Sequence, residues 1–203
     1  MMRRFSGDRL VVATHNKGKM EEISALLAPF SVTVIGAGAL GLAEPAETET
    51  TFAGNARIKA HFAAKASGLP ALADDSGITI DALDGAPGVY TADWAETGNG
   101  RDFVMAMTRV WSELEARHAP YPRSAQFRCT LVMAWPDGHD EVFEGMMAGQ
   151  VVWPMRGDQG HGYDPIFQPD GFDVTFGEMD RWEKNRISHR ADAFRKLVAG
   201  CFA

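Results

Sequence analysis

The stretch Leu72–Ile78, with the sequence LADDSGI, places two adjacent carboxylates between two apolar runs. Ala71–Ala73 and Ile78–Leu83 have the composition of buried strands, so we expect Asp74 and Asp75 to lie at a strand end, where functional side chains often occur. Adjacent like charges repel each other and need compensation. Water, a cation or a proton would each provide it.

Strand and helix patterns alternate along the chain before this stretch. Leu10–Ala13 is typical of a buried strand, and apolar residues recur at helical spacing over Met20–Leu27. Ser31–Ile35 predicts a second strand, followed by a mobile, glycine-rich and acidic loop over Gly36–Thr51. An alanine-rich helix is expected over Phe52–Ser67, closed by the glycine that follows it.

The patterns continue in the same alternation after the acidic stretch. Apolar spacing predicts an amphipathic helix over Phe103–Leu114. Alternation over Phe127–Trp135, a Pro-Asp-Gly turn and the run Glu141–Val152 predict a hairpin. Ser188 is the expected N-cap of the last helix. We therefore expect an α/β fold with a mixed, twisted sheet and flanking helices.

Composition and charge exclude several classes of protein. A chain of 203 residues with 45% apolar and 23% charged residues is expected to form one ordered domain over residues 1–203. The net charge of −7 argues against a nucleic-acid or membrane-surface binder, because such proteins carry basic patches. Cys129 and Cys201 are too few for a disulfide framework. No secretion signal or membrane span is recognisable, so a cytoplasmic location is expected.

A second candidate site is the segment VVATHNKGKMEE, residues 11–22, which connects a strand pattern to a helix pattern. Unpaired N–H groups, the helix dipole and ammonium groups at a helix start favour polyphosphate. The P-loop spacing is absent, so a capped surface helix with solvated lysines is the alternative. The candidate phosphate-binding residues are Thr14, His15, Asn16, Lys17, Gly18 and Lys19.

A third candidate site combines the runs RGDQGHGYDPIF and EMDRWEKNRISHR near the C-terminus. The glycines and proline predict a tight loop with an aromatic surface and a carboxylate, and the second run adds cationic donors that could grip a base. The alternative is that Tyr163 and Phe167 are core, Asp164 caps a turn and the basic residues are solvated. The candidates are His161, Gly162, Tyr163, Asp164, Lys184, His189 and Arg190.

Six motifs resemble, in order and spacing, those of the Ham1 family of inosine/xanthosine triphosphate pyrophosphatases. The motifs are VATHNKGKMEEI, ETETTFAGNARIKA, LADDSGI, ALDGAPGVYTA, GYDPIFQPDG and EKNRISHRADAF. The resemblance covers nearly the whole chain. It implies Mg²⁺-dependent hydrolysis of non-canonical purine triphosphates (dITP, ITP, dXTP and XTP) to the monophosphate and pyrophosphate. It also implies a homodimer and an elongated fold with two lobes around a central cleft.

The resemblance assigns Asp75 as proton acceptor and metal ligand, with Asp74 assisting it. Glu47 is the candidate for a second metal-associated carboxylate, although Glu44 and Glu49 are near neighbours in the same loop. A carboxylate of ordinary pKa is a weak base, so the metal is expected to do much of the activation of the attacking water.

The remaining roles concern the nucleotide. The resemblance has the Thr14–Lys19 segment hold the triphosphate, with Lys19 neutralising the leaving pyrophosphate, and has Ser76 contact the nucleotide. Donors from His189 and Arg190 would pair with the 6-oxo group of hypoxanthine or xanthine and face adenine unpaired. Lys184 would contact phosphate or base, while Tyr163 and Asp164 shape the nucleoside pocket.

Two positions depart from the family pattern. His161 stands where phenylalanine is usual, and its imidazole would still stack on a base while adding a titratable donor. Gly54 stands where an acidic residue is common, and we expect little consequence from it.

Two other functions are open to the same residues. A Maf-type nucleotide pyrophosphatase shares the chemistry with other base preferences, but it has no place for GYDP and SHR. A purine-nucleotide sensor that does not hydrolyse its ligand would explain the phosphate and base candidates but not the acidic pair.

Overall fold

The computed structural model of the chain describes residues 2–202. Its strands are β1 Arg9–Val12, β2 Thr33–Gly36, β3 Ala71–Ile80, β4 Glu96–Thr97, β5 Gly100–Arg101, β6 Ser124–Ala134, β7 Asp140–Val151 and β8 Phe167–Pro169. Its α-helices are α1 Lys17–Leu27, α2 Phe52–Ser67, α3 Phe103–Ala116, α4 Arg181–Ile187 and α5 His189–Leu197.

Six of the strands form one mixed sheet in the order β2-β1-β3-β6-β7-β8. Strand β1 is parallel to β2 and to β3, with Val11 paired to Ala71. Strand β8 is antiparallel to β7, with Gln150 paired to Gln168. Strands β4 and β5 form a separate antiparallel pair. The prediction of a mixed α/β fold with flanking helices is confirmed.

Local signals account for several boundaries. Helix α2 begins after Thr51, whose hydroxyl accepts the N–H of Gly54 at 3.0 Å. It ends at Gly68, which has φ +68° and donates its N–H to the carbonyl of Ala64. Its predicted bounds are correct, because capping signals stand at both ends. The predicted hairpin is also present, since β6 and β7 are neighbours joined by a short turn.

The prediction that the acidic pair ends a strand is wrong. Strand β3 runs without a break from Ala71 to Ile80, so Asp74 and Asp75 lie in its interior. The strand has hydrogen-bonded neighbours on both sides, β1 and β6. These ladder bonds keep the backbone extended through polar residues that would favour a turn in isolation.

Several short helical segments were not predicted, and two of them flank candidate site residues. The loop after β2 contains a 3₁₀ turn over Ala37–Leu40, in which Ala37 is buried. Helix α4 precedes the predicted last helix, and the carboxylate of Asp180 caps it by accepting the N–H of Trp182 at 2.9 Å. Both segments are too short to show the repeated apolar spacing from which helices are predicted.

The chain divides into two compact units. The first comprises the chain up to Asp75, Cys129–Gly145 and the chain from Ala193 onward, and the second comprises Ser76–Arg128 and Met146–Asp192. In the first unit, one buried cluster joins α1 to the sheet through Leu10, Ile23, Leu27 and Leu72. A second cluster joins α2 to the sheet through Val11, Ala60, Ala63 and Ala73.

The second unit has its own core. This core contains Ile78, Val110, Phe127, Tyr163, Phe167 and Phe176. Within residues 2–202, no helix combines the length and the apolar character needed to cross a membrane.

Candidate active site

Five charged side chains of the first unit lie close together, and we call them the acid–lysine cluster. Its members are Lys19, Glu47, Lys59, Asp74 and Asp75. The ammonium of Lys19 lies 2.9 Å from Oδ2 of Asp74. The ammonium of Lys59 lies 2.5 Å from Oε1 of Glu47 and 3.7 Å from Oδ1 of Asp75. Lysines therefore supply part of the compensation that the adjacent carboxylates require.

Strand geometry explains why each aspartate has its own lysine. Successive side chains of a strand point to opposite faces of the sheet. Leu72 packs in the cluster under α1 and Ala73 in the cluster under α2. By the same alternation Asp74 falls on the α1 side and Asp75 on the α2 side. Each pairs with a lysine from the helix that covers its face.

Burial and crowding of carboxylates perturb the proton affinity of Asp75. The residue is 6% exposed. Burial raises the pKa of Asp75 to about 6; Lys59 opposes this shift and the charge of Glu47 adds to it. The sequence does not show how deeply the carboxyl is buried, so it does not predict this shift.

Lys59 remains protonated despite its burial. Desolvation acts to lower its pKa, but Asp74, Asp75 and Glu47 outweigh that effect and leave the pKa raised. The three carboxylates of the cluster share two ammonium groups, which leaves one uncompensated negative charge when all are ionised. Such a site favours a further cation.

The donor set suits Mg²⁺. Glu47 and Asp75 approach one cation, the ammonium of Lys59. Mg²⁺ is commonly held by one or two carboxylates together with substrate phosphates and water. Among residues 2–202, no group of three or more His, Cys, Asp or Glu side chains could hold a metal by itself. A two-carboxylate site completed by a nucleotide fits these observations.

The structure separates the three acids of the loop before α2. Glu47 contacts Lys59, as described above. Glu49 donates its backbone N–H to Oδ1 of Asn55 at 2.9 Å. Glu44 lines a small pocket within the first unit. The other lining residues include Ala13, His15, Leu42, Lys59 and Phe62. Glu47 is thus the loop acid that belongs to the cluster.

The Thr14–Lys19 segment combines features of a phosphate-binding helix start with those of a capped surface helix. Asn16 is the N-cap of α1, and its Oδ1 accepts the N–H of Lys19 at 3.1 Å. The hydroxyl of Thr14 accepts the N–H of Asn16 at 3.1 Å. Lys17 and Gly18 are exposed, as a capped surface helix requires. Lys19 instead pairs with the buried Asp74, so the two lysines are not equivalent.

The other predicted residues lie in the second unit, and we call them the loop–helix group. They are Ser76, His161, Gly162, Tyr163, Asp164, Lys184, His189 and Arg190. Asp164 is buried, and its Oδ2 accepts the ammonium of Lys184 at 2.5 Å and the N–H of His161 at 2.8 Å. Asp164 therefore ties the loop to α4.

Glycine is required next to this carboxylate. Gly160 has φ +74°, and a Cβ there would lie 2.0 Å from Oδ2 of Asp164. The tight loop predicted from the glycine spacing is therefore built around Asp164, and Asp164 does more than cap a turn.

Tyr163 does not present its ring to a ligand. It is 1% exposed, and its hydroxyl donates to the carbonyl of Thr91 at 2.9 Å. Its ring meets Phe103 edge to face. The alternative interpretation is correct for Tyr163 and for Phe167, which is also buried in this core. Tyr163 can shape a nucleoside pocket only by anchoring the loop.

The basic residues at the start of α5 are not a solvated face. Ser188 caps the helix, its hydroxyl accepting the N–H of Ala191 at 3.2 Å. His189 is buried and stacks on Phe127 with ring centroids 5.0 Å apart. Arg190 is buried too, and its guanidinium donates to the hydroxyl of Ser76 at 3.4 Å. Burying such donors costs free energy unless they hydrogen-bond to polar partners.

Lys59 was missed as a member of the site. The signal was present, because Asn55 and Lys59 are four residues apart on a helix face otherwise lined by buried alanines. Polar residues at that spacing on an apolar face are rarely buried without a partner. The identity of the partners depends on tertiary contacts.

Comparison with known proteins identifies the family. The model of the Ham1 family matches residues 10–200. The chain belongs to the Ham1 family. It is 72% identical over 202 residues to a protein of Ruegeria pomeroyi named dITP/XTP pyrophosphatase, covering 100% of this chain and 99% of the relative. It is 56% identical to the Agrobacterium fabrum protein of the same name, with 98% and 99% covered.

Solved structures of Ham1 proteins share the fold. A HAM1 protein from Coxiella burnetii aligns with TM-score 0.88 at 37% identity, covering 94% of this chain and 96% of that one. The Staphylococcus aureus Ham1 protein aligns with TM-score 0.84 at 33% identity, with the same coverage. These matches favour the Ham1 resemblance over the Maf-type alternative.

Proposed function

We propose that this Ham1-family chain acts as one catalytic domain, a pyrophosphohydrolase of the non-canonical purine nucleotides dITP, ITP, dXTP and XTP. The observation that carries the proposal is the acid–lysine cluster. In it, Glu47 and Asp75 approach the ammonium of Lys59, and the neighbouring Asp74 pairs with Lys19. The names of the relatives from Ruegeria pomeroyi and Agrobacterium fabrum support the same substrates.

Glu47 and Asp75 are the residues that would hold Mg²⁺. When bound there, the ion would neutralise phosphate charge and lower the pKa of a coordinated water. The excess of one negative charge in the cluster supports this role. The positive charge of the ion would also let these carboxylates lie beside an anionic substrate.

Asp75 would act as the general base. In the metal-free protein the pKa of Asp75 is about 6, so the carboxyl is mostly ionised at neutral pH and able to accept a proton. It would accept a proton from the attacking water as the water oxygen bonds to the α-phosphorus. The bond from that phosphorus to the bridging oxygen breaks, and pyrophosphate leaves with the charge that Lys19 neutralises.

The loop–helix group would select the base. The buried donors of His189 and Arg190 would pair with a 6-oxo group and would face the 6-amino group of adenine unpaired. A site of this kind discriminates by roughly 10⁴-fold. Asp164 would keep Lys184 and the loop in place, and the exposed His161 would cover the base.

A single-turnover assay with Mg²⁺ tests the proposal. We expect release of pyrophosphate from dITP, ITP and XTP, at least 10³-fold slower release from ATP, and none after chelation of the metal. Tight binding of ITP without cleavage would instead favour a nucleotide sensor. Faster cleavage of a canonical nucleotide would overturn the proposed specificity.

We also propose, from the family resemblance, a homodimer located in the cytoplasm. Light scattering on the purified protein would give twice the mass of one chain. The mass of a single chain at micromolar concentration would contradict the dimer.

A further inference from the structure

Helix α2 contains a glycine in its first turn, although glycine weakens a helix relative to alanine. A Cβ on Gly54 would lie 2.6 Å from Cβ and 2.8 Å from Cγ of Glu49. The position of Cβ is set by the backbone, so rotation of the Glu49 side chain would not relieve this contact. Any side chain at position 54 would displace the backbone at Glu49.

The neighbouring residue holds the same point of the loop. Asn55 is 2% exposed, and its Oδ1 accepts the backbone N–H of Glu49 at 2.9 Å. Glu49 is therefore docked on two consecutive helix residues, by close packing on one and by a buried hydrogen bond to the other.

The docking point at Glu49 is close in the chain to Glu47, and its partner Asn55 is close to Lys59 in α2, so both sides adjoin the acid–lysine cluster. Glu47 is two residues before Glu49, and Lys59 is one helical turn after Asn55 on the same buried face. The carboxylate of Glu47 reaches the ammonium of Lys59 at 2.5 Å. Because only Thr48 separates Glu47 from the docking point, a shift at Glu49 moves Glu47.

We propose that Gly54 and Asn55 are positioning residues that hold the carboxylate of Glu47 beside Asp75 and the ammonium of Lys59. The inference rests on the proposed function to the extent that Glu47 binds the metal. It also changes the significance of the departure at position 54, because the space for a side chain there is occupied by Glu49. The glycine is a requirement of this loop conformation.

The first test replaces Gly54 with alanine, which is a better helix former. Two properties are measured in Gly54→Ala, in Glu47→Gln and in the double variant. They are the Mg²⁺ concentration for half-maximal pyrophosphate release from ITP, and Mn²⁺ binding followed by electron paramagnetic resonance. We expect Gly54→Ala to raise the Mg²⁺ requirement at least tenfold, to weaken Mn²⁺ binding similarly, and to add nothing to Glu47→Gln in the double variant. An unchanged Mg²⁺ requirement would overturn the inference.

Rescue variants separate the contact from a general effect on the helix. Glu49→Gly removes both clashing atoms, so Glu49→Gly with Gly54→Ala should return to within threefold of wild type. Glu49→Ala keeps the Cβ, so Glu49→Ala with Gly54→Ala should stay impaired. Equal behaviour of the two double variants would overturn the inference.

Hydrogen exchange gives a readout that does not require activity. The Glu49 amide should be protected in wild type and exchange at least tenfold faster in Gly54→Ala. If that variant does not fold, Asn55→Leu removes the acceptor and should give the same loss of protection; retained protection in it would overturn the inference. A wild type that cleaves no purine triphosphate would defeat the proposed function, while exchange and Mn²⁺ binding would still decide this proposal.

Discussion

The acid–lysine cluster and the loop–helix group bury charge in different ways. In the first, three carboxylates share two lysines, and burial raises the pKa of Asp75 because the nearby lysine only partly offsets it. In the second, the single carboxylate of Asp164 is satisfied by Lys184 and a backbone N–H. The first arrangement suits a site that takes up a cation and a proton, and the second suits a site of fixed shape.

The largest effect is expected from neutralising the proposed base. Asp75→Asn removes a proton acceptor and a metal-binding charge at constant volume, so pyrophosphate release from ITP should fall at least 100-fold while the protein stays folded. Asp81→Asn, the same change at an exposed position beyond β3, is the control and should be close to wild type. Retention of more than about a tenth of wild-type activity by Asp75→Asn would contradict the role.

The same chemical change in the loop–helix group should act on stability. Asp164→Asn leaves the largely buried Lys184 without its counter-ion and should lower the free energy of unfolding by about 3 kcal/mol. The melting temperature should fall by about 6–12 °C. Glu96→Gln breaks an exposed pair with Arg101 and should cost less than about 1 kcal/mol. Equal costs in the two variants would show that Asp164 is not the organising group.

Asp75→Asn should raise stability, opposite in sign to Asp164→Asn. The folded-state pKa of Asp75 is raised from 3.8 to about 6, so its ionisation destabilises the fold as the pH rises between these values. In EDTA the Asn variant should be more stable than wild type by about 3 kcal/mol at pH 8, and the difference should shrink toward pH 4. Thermal melts across this range measure it, and identical curves at pH 8 would refute the raised pKa.

Removal of Lys19 should have a smaller, kinetic effect. Lys19→Ala should raise KM for ITP and lower kcat, together by about tenfold or more in kcat/KM, because the ammonium binds charge that grows in the transition state. Lys65→Ala, at an exposed position in the last turn of α2, is the matched control. If neither constant changes in Lys19→Ala, the leaving group is neutralised elsewhere.

The smallest effect is expected at His161. Its backbone N–H holds Asp164, and that bond does not depend on the side chain. His161→Phe should keep kcat/KM for ITP within about threefold at pH 6 and pH 8.5, since stacking needs only a flat ring. A drop of more than tenfold together with loss of a pH difference would make the imidazole a hydrogen-bonding recognition group.

Local signals predicted much of the fold. The bounds of α2 follow from its cap residues, and the hairpin of β6 and β7 follows from alternation and a Pro-Asp-Gly turn. The candidate site residues were also identifiable from the order of the motifs. Among the three loop acids, however, the sequence could not separate Glu47 from Glu44 and Glu49, because they differ only in which neighbour the folded loop brings near.

By itself, the sequence determined the helix caps, the alternating strand–helix pattern and the family, because these depend on residues close together in the chain or on motifs in a fixed order. Only the tertiary structure decided that Asp74 and Asp75 lie inside a strand with a separate lysine each, that Lys59 belongs to the site, and that Tyr163 is core. These outcomes depend on strand pairing and burial, which bring together residues far apart in sequence. The raised pKa of Asp75 has the same origin, since desolvation exists only once the chain has folded around the carboxyl.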